Sequence, residues 1–249
     1  MTITPALPPA PKVALVTGAA RRIGREIAIS LARDGWRVAV HYRNSRAEAD
    51  AVVAEIVATG GRAHALEADL GSLDAIRRLV RNCTEVLGAP TCLINNASEF
   101  HLDTIGSLRP ELWDLHLDIN LKAPVFLAQA MVERLPPDAG GNIINIIDQR
   151  VWKLTPDFFS YTISKAGLWT ATRTLAQALA PRIRVNAIGP GPVLRSIHQT
   201  DQEFADEWQS TLLKRGPTAE EIASAVRFIL GAPAMTGQMI ALDSGQHLT

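Results

Sequence analysis

Val13-Ala14-Leu15-Val16-Thr17-Gly18-Ala19-Ala20-Arg21-Arg22-Ile23-Gly24-Arg25-Glu26-Ile27 decides how the rest of the chain is read. Four consecutive apolar residues suit a strand buried on both faces. They run into a glycine-bearing turn, after which Ile23, Ile27 and Leu31 recur at i, i+4 and i+8, the stripe of a helix with one covered face. A strand passing through such a turn into a helix gathers backbone N–H groups and the positive end of a helix dipole at one point, a seat for a dinucleotide pyrophosphate. Glycine lets the backbone approach the phosphates. The fingerprint is incomplete, because Arg22 stands where a second glycine is expected, and a turn of this kind can also be only a turn.

Outward from this unit the same rhythm repeats: a short apolar run, a turn, a segment of helical period. Strands are expected at Val13–Thr17, Val38–Tyr42, Ala63–Glu67, Cys92–Asn95, Asn142–Ile147, Arg184–Ile188 and Gln238–Leu242. Ile76, Leu79 or Val80, Cys83 and Leu87 mark a helix. A helix over 47–59 stops at Gly60-Gly61, and Thr218 with Glu221 forms a capping box before Ile222 to Leu230. The expected fold is α/β: a single-domain, Rossmann-type, doubly wound parallel sheet of about seven strands with helices on both faces, spanning 12–249. Residues 1–11, with four prolines and no basic or apolar signal region, read as a flexible leader. Residues 189–216 open with Gly-Pro-Gly-Pro, carry Phe204 and Trp208, and read as an insertion placed to close over a ligand or to run over the surface.

The 249 residues carry 25 basic and 25 acidic side chains, so no field exists to gather nucleic acid or an anionic membrane, and neither is expected as a partner. Two cysteines, Cys83 and Cys92, make neither a disulfide framework nor a metal set, and the six histidines lack metal spacing. No apolar stretch is long enough for a membrane span, and a cytoplasmic location is expected.

Three further groups carry chemistry. His41-Tyr42-Arg43-Asn44-Ser45 ends the second strand without the carboxylate that would hold a ribose 2′-hydroxyl, so Arg43 and Ser45 are candidates for a 2′-phosphate, with Arg22 a second cation. Tyr161 and Lys165 lie at i, i+4 on one helix face. A lysine charge about 4 Å from the hydroxyl would favour the phenolate by on the order of 4 kcal/mol at an effective dielectric of about 20, so the pair is expected to move a proton near neutral pH. Pro124 follows Asn120 by four residues in what reads as one helix, and cannot donate to the Asn120 carbonyl, which is then free to hold a relay water.

The glycine turn, Asn95-Asn96-Ala97, Tyr161-x-x-x-Lys165 and Pro190-Gly191 occur in the order and spacing of the short-chain dehydrogenase/reductases, and the chain resembles that family from about Lys12 to its end. The resemblance implies NADP (as NADPH) held by Gly18, Arg21, Arg22, Ile23, Tyr42, Arg43, Asn44, Ser45, Leu70, Ala97, Ser98, Pro190 and Gly191. It further implies Asp69 at the adenine, Asn96 supporting the cofactor, Asn120 completing the catalytic set and Lys165 also at the nicotinamide ribose. It implies a homotetramer as well.

One departure narrows the reading. Most members carry a serine thirteen residues before the tyrosine, where this chain has Asp148. A carboxylate there opposes an oxyanion and suits a substrate with N–H groups or a ring nitrogen that gains a proton. Together with Arg22, the HYR segment and Asn96-Ala97-Ser98-Glu99-Phe100, this resembles the pteridine and dihydromonapterin reductases, which implies that Arg22, Ser98, Phe100, Asp148 and Tyr161 meet a pterin-like ring, with Phe100 stacked on one face. Phe158 stands where a pteridine reductase can carry tyrosine, and Gln149-Arg150-Val151-Trp152 fits no assigned pattern. The alternatives are a carbonyl or 3-oxoacyl reductase of the same family and, from another class, a non-catalytic NADP-binding regulatory protein.

Overall fold

The computed structural model describes residues 12–195 and 199–249; the expected leader and His198 lie outside them. The strands are β1 (Val13–Val16), β2 (Arg37–Tyr42), β3 (Arg62–Glu67), β4 (Cys92–Asn95), β5 (Gly141–Ile146), β6 (Ile183–Pro190) and β7 (Met239–Leu242). They form one sheet in the order β3-β2-β1-β4-β5-β6-β7, parallel throughout. The connections reverse direction between β1 and β4, and the crevice opens at the carboxyl ends of those strands.

The eight helices among the described residues are α1 (Arg22–Arg33), α2 (Arg46–Ala58), α3 (Leu73–Leu87), α4 (Pro110–Leu117), α5 (Ala123–Arg134), α6 (Phe159–Leu179), α7 (Asp201–Ser210) and α8 (Ala219–Leu230). Alternation along β1 divides the core. Val13 and Leu15 pack with α3 and α5 through Leu79, Val80, Leu127 and Met131, whereas Ala14 and Val16 pack with α1, α2 and α8 through Ile27, Leu31, Val52, Ile56 and Val226. All of these side chains are buried, and truncating one of the larger ones to alanine costs about 2–5 kcal/mol. No helix among the described residues is long and apolar enough to cross a membrane.

The differences from the sequence-based expectation are local. β6 continues through Gly189 and Pro190, so the insertion begins two residues later than expected. Its described part contains α7, closed by a capping box of Thr200 and Glu203; the expected box of Thr218 and Glu221 caps α8. The single helix expected around Asn120 is instead α4 and α5 joined by one π-helical turn, Asp118–Lys122. Ala123 N–H reaches back five residues to the Asp118 carbonyl, the wider winding being the form that a helix takes beside Pro124, which has no N–H to give.

Candidate active site

The glycine turn is braced from three directions. Gly18, at φ +61°, donates its N–H to His41 Nδ1 at 3.0 Å, and His41 Nε2 donates to the Ala68 carbonyl at 3.1 Å, an assignment of protons that this network requires. Burial pushes the His41 pKa down to about 4, so the ring is neutral. Asn96 Nδ2 donates to the carbonyls of Thr17 (2.9 Å) and Gly18 (3.2 Å), while Thr17 Oγ1 accepts from the N–H groups of Asn96 (2.9 Å) and Ala97 (3.0 Å). A Cβ on Gly24 would lie 2.3 Å from the Gly18 oxygen, so only glycine lets α1 approach the turn this closely. This cradle fits a dinucleotide pyrophosphate.

Arg22 occupies the place of the missing glycine and adopts the left-handed backbone glycine would take, at φ +55°. That conformation costs a non-glycine residue about 1–2 kcal/mol. Its guanidinium is held by the carbonyls of Leu194 and Arg195, both at 2.9 Å, which ties the start of the insertion to the turn.

The crevice is one cavity of about 1000 Å³. Of the expected cofactor and substrate residues, Gly18, Arg21, Arg22, Ile23, Tyr42, Arg43, Asn44, Ser45, Leu70, Asn96, Ala97, Ser98, Phe100, Asp148, Tyr161, Lys165, Pro190 and Gly191 line it. Asp69 does not: Ala68 and Leu70 face the cavity, whereas Asp69 borders a neighbouring depression and its carboxylate accepts from Gly71 N–H at 3.0 Å, closing the turn after β3. As expected, no carboxylate ends the second strand at residues 43–45, but other elements bring carboxylates to the cations of the site. Arg21 pairs with Glu48 of α2, and Arg43 pairs with Glu99 at 2.9 Å.

At the other end, Tyr161 Oη donates to Asp148 Oδ2 at 2.8 Å, and Asp148 Oδ1 accepts from Arg150 N–H at 2.8 Å. Burial raises the Asp148 pKa above the usual carboxylate range, against hydrogen bonds and nearby cations that lower it. Burial and the neighbouring Asp148 charge hold the Tyr161 hydroxyl well above the usual phenol range. The expected lowering of Tyr161 by Lys165 is therefore not what this arrangement produces. Lys165 Nζ donates to the Ile146 carbonyl at 2.9 Å and lies 5.7 Å from the centre of the tyrosine ring, and burial lowers its own pKa to about 8.

Asn120 is fully buried and does not reach the cavity; its side chain is a brace. Oδ1 accepts from Glu99 N–H (2.9 Å) and Ser98 Oγ (3.1 Å), and Nδ2 donates to the Glu99 carbonyl (2.9 Å) and Ser164 Oγ (3.1 Å). Both ends of residue 99 are thus fixed to the π-helical turn, and through Asn120 and Ser164 to α6.

Several contacts around the site join residues distant in sequence. Phe158, the residue before α6, has φ +56° and supplies no cap; Asp103 replaces it, accepting from Ser160 N–H at 3.1 Å while its carbonyl accepts from Phe159 N–H at 3.2 Å. Ser160 Oγ donates to Asp103 and accepts from His116 Nδ1 at 2.6 Å, and His116 Nε2 accepts from His101 N–H at 3.2 Å. One face of Phe100, expected to be open for a flat ring, is covered by Phe158, with ring centres 4.4 Å apart and planes at 7°; Arg150 lies 4.8 Å from the Phe158 ring centre. Phe204 and Glu207 of α7 and Gln246 near the C-terminus complete the wall, Glu207 accepting from Gln246 (3.0 Å) and Gln199 (2.9 Å). The sequence signal for this latch was only the polar, weakly amphipathic character of the insertion.

The profile of a family described as enoyl-(acyl carrier protein) reductase matches residues 18–247. A 3-oxoacyl-[acyl-carrier-protein] reductase of Synechocystis sp. is 34% identical over 239 residues, which is 94% of this chain and 96% of that protein. The crystal structure of FolM alternative dihydrofolate reductase 1 from Brucella suis in complex with NADP superposes with a TM-score of 0.92 at 50% identity, covering 95% of each chain. The corresponding protein from Brucella canis, complexed with NADP, gives a TM-score of 0.93 at 49% identity over 95% of this chain and 94% of that one.

Proposed function

The chain belongs to the short-chain dehydrogenase/reductase family and is an NADP-dependent oxidoreductase, and from that premise we propose that it reduces a pterin-like ring, a dihydropterin becoming a tetrahydropterin. One observation carries the substrate class: the group 2.8 Å from the Tyr161 hydroxyl is the carboxylate of Asp148. A carboxylate accepts from ring N–H groups and favours a protonated nitrogen, and it destabilises the growing charge of a carbonyl oxygen. The similarity to proteins described as alternative dihydrofolate reductases points the same way.

NADPH, when bound, supplies hydride to the ring carbon. Tyr161, oriented by Asp148, gives the proton held at Oη to the adjacent ring nitrogen, and the phenolate left behind takes a proton back from water. Asp148 orients the tyrosine and meets the ring N–H groups. Lys165, still mostly cationic at neutral pH, holds the ribose, while the cation that eases ionisation of the phenol is Arg150. Asn120 fixes Ser98 and Glu99 against α6, so that loop and helix meet the substrate as one surface.

The second reading is a 3-oxoacyl or carbonyl reductase, favoured by the 34% identity to a protein of that description. NADPH oxidation with dihydrobiopterin, dihydromonapterin, dihydrofolate, small ketones and a 3-oxoacyl thioester separates the two. Faster turnover of ketones or the thioester than of every pterin sinks the proposal, and tight NADPH binding without turnover of any of them points to a regulatory protein. A homotetramer and a cytoplasmic setting complete the proposal by family resemblance; sedimentation velocity tests the first.

A further inference from the structure

We propose that Glu99 is a specificity-determining residue for the cofactor: its ion pair with Arg43 spans the crevice, and a 2′-phosphate must displace it to be bound. The inference rests on NADPH as the cofactor and on Arg43 as its phosphate ligand.

The topology gives the pair its position. β2 and β4 flank β1 in the sheet, Arg43 directly follows β2, and Glu99 follows β4 by four residues. The 2.9 Å contact therefore passes over the carboxyl end of β1, where the glycine turn begins, and both side chains line the same cavity.

The two partners are unequally held. Glu99 has a side chain 20% exposed, its backbone N–H and carbonyl are both bonded to the Asn120 side chain at 2.9 Å, and its second oxygen lies 3.2 Å from His101 Nε2. Arg43 is 48% exposed on a long, flexible stem. Exchange thus occurs by movement of Arg43, from a fixed internal carboxylate to an incoming phosphate.

A phosphate monoester, with charge between one and two and three acceptor oxygens, outcompetes a single carboxylate for a guanidinium. A ribose hydroxyl does not. The pair consequently leaves a cofactor without the 2′-phosphate no gain from Arg43, and it also subtracts from the affinity of one that has it. Neutralising Glu99 removes that subtraction. A partly exposed pair of this kind is worth an equilibrium factor of about two to five.

Dissociation constants for NADPH and NADH, measured by fluorescence titration on the wild type, Glu99→Gln, Arg43→Ala and the double variant, test this. Glu99→Gln is expected to tighten NADPH about two- to five-fold and to leave NADH unchanged, with no effect of the same substitution in the Arg43→Ala background. Added salt should shrink the difference. Unchanged or weaker NADPH binding in Glu99→Gln, or equal shifts for both cofactors, overturns the proposal. If Arg43→Ala loses the NADPH preference while Glu99→Gln is silent, only the role of Glu99 falls; if Arg43→Ala keeps the preference, the phosphate reading of Arg43 falls with it. Thermal melting checks folding, and Glu99→Ala replaces Glu99→Gln should the latter melt early.

Discussion

The Tyr161 hydroxyl and the Asp148 carboxylate, from the first turn of α6 and the segment just beyond β5, share one proton across 2.8 Å. The effect is one-sided: the hydrogen bond from Tyr161 eases ionisation of Asp148, whose pKa is raised by burial, whereas burial and the Asp148 charge raise the cost of ionising Tyr161. Tyr161→Phe removes the proton and little volume. Turnover is expected to fall by about 10² to 10⁴ with NADPH affinity unchanged. Lys165→Ala should weaken both if the lysine holds the ribose as proposed, since a displaced nicotinamide also slows turnover. Stopped-flow single turnovers alongside a cofactor titration check the split, and a Tyr161→Phe enzyme with near wild-type turnover takes the tyrosine out of the mechanism.

His41 makes the glycine turn sensitive to acid. Its folded pKa of about 4 lies below the ordinary value of about 6.5, so the unfolded chain takes up the proton first. The stability His41 contributes is complete above pH of about 6.5 and is lost as the pH falls toward about 4, on the order of 3 kcal/mol over that window. Denaturation midpoints across the window should drop more steeply for the wild type than for His41→Asn, which has no titrating ring. Parallel slopes would mean that other groups carry the acid sensitivity.

Asp103 connects stability to catalysis through the start of α6. Asp103→Ala strands the Ser160 N–H and hydroxyl in a buried place, with an expected loss of about 2–4 kcal/mol. Because Tyr161 is the next residue, kcat should fall while NADPH affinity holds. Asp103→Asn, which retains an acceptor for the N–H, should recover part of both. An Asp103→Ala protein of wild-type stability and kcat would show that Phe158 and the helix beyond it need no external cap.

The alternation of apolar runs with helical stripes located all seven strands, because burial on both sheet faces writes itself into local composition. Tyr161, Lys165 and Asn96 were legible for another reason, since each belongs to a short local motif, and Asp148 stood out as the departure from one. What escaped were pairings set by topology. Asp103 caps a helix that begins 56 residues later, Glu99 meets Arg43 only because β2 and β4 flank β1, and Gln246 meets Glu207 across the cavity mouth. No local window contains both members of any such pair. The orientation of Lys165 is set by the same kind of pairing: i, i+4 spacing puts two side chains on one face, but the Ile146 carbonyl decides where the ammonium points.

Asp148→Ser separates the pterin reading from the carbonyl reading within one fold. In the wild type the carboxylate accepts from Tyr161 and from the Arg150 N–H, burial raises its pKa, and it is placed to accept from ring N–H groups and to favour a protonated ring nitrogen. Serine keeps a hydrogen-bond partner for the tyrosine but neither the charge nor the acidity. Pterin reduction is therefore expected to fall by about 10² or more with NADPH binding intact. A ketone meets the opposite balance, because a carboxylate within reach of its developing oxyanion destabilises the transition state by several kcal/mol in a dry site, whereas a serine hydroxyl donates to it. Ketone activity in the variant should hold or rise. Measuring kcat/KM for one dihydropterin and one ketone in both proteins gives a crossed pattern if the proposal is right. A wild type that prefers the ketone, with Asp148→Ser abolishing that activity, would assign the carboxylate to carbonyl chemistry and leave the fold and the cofactor standing without the pterin.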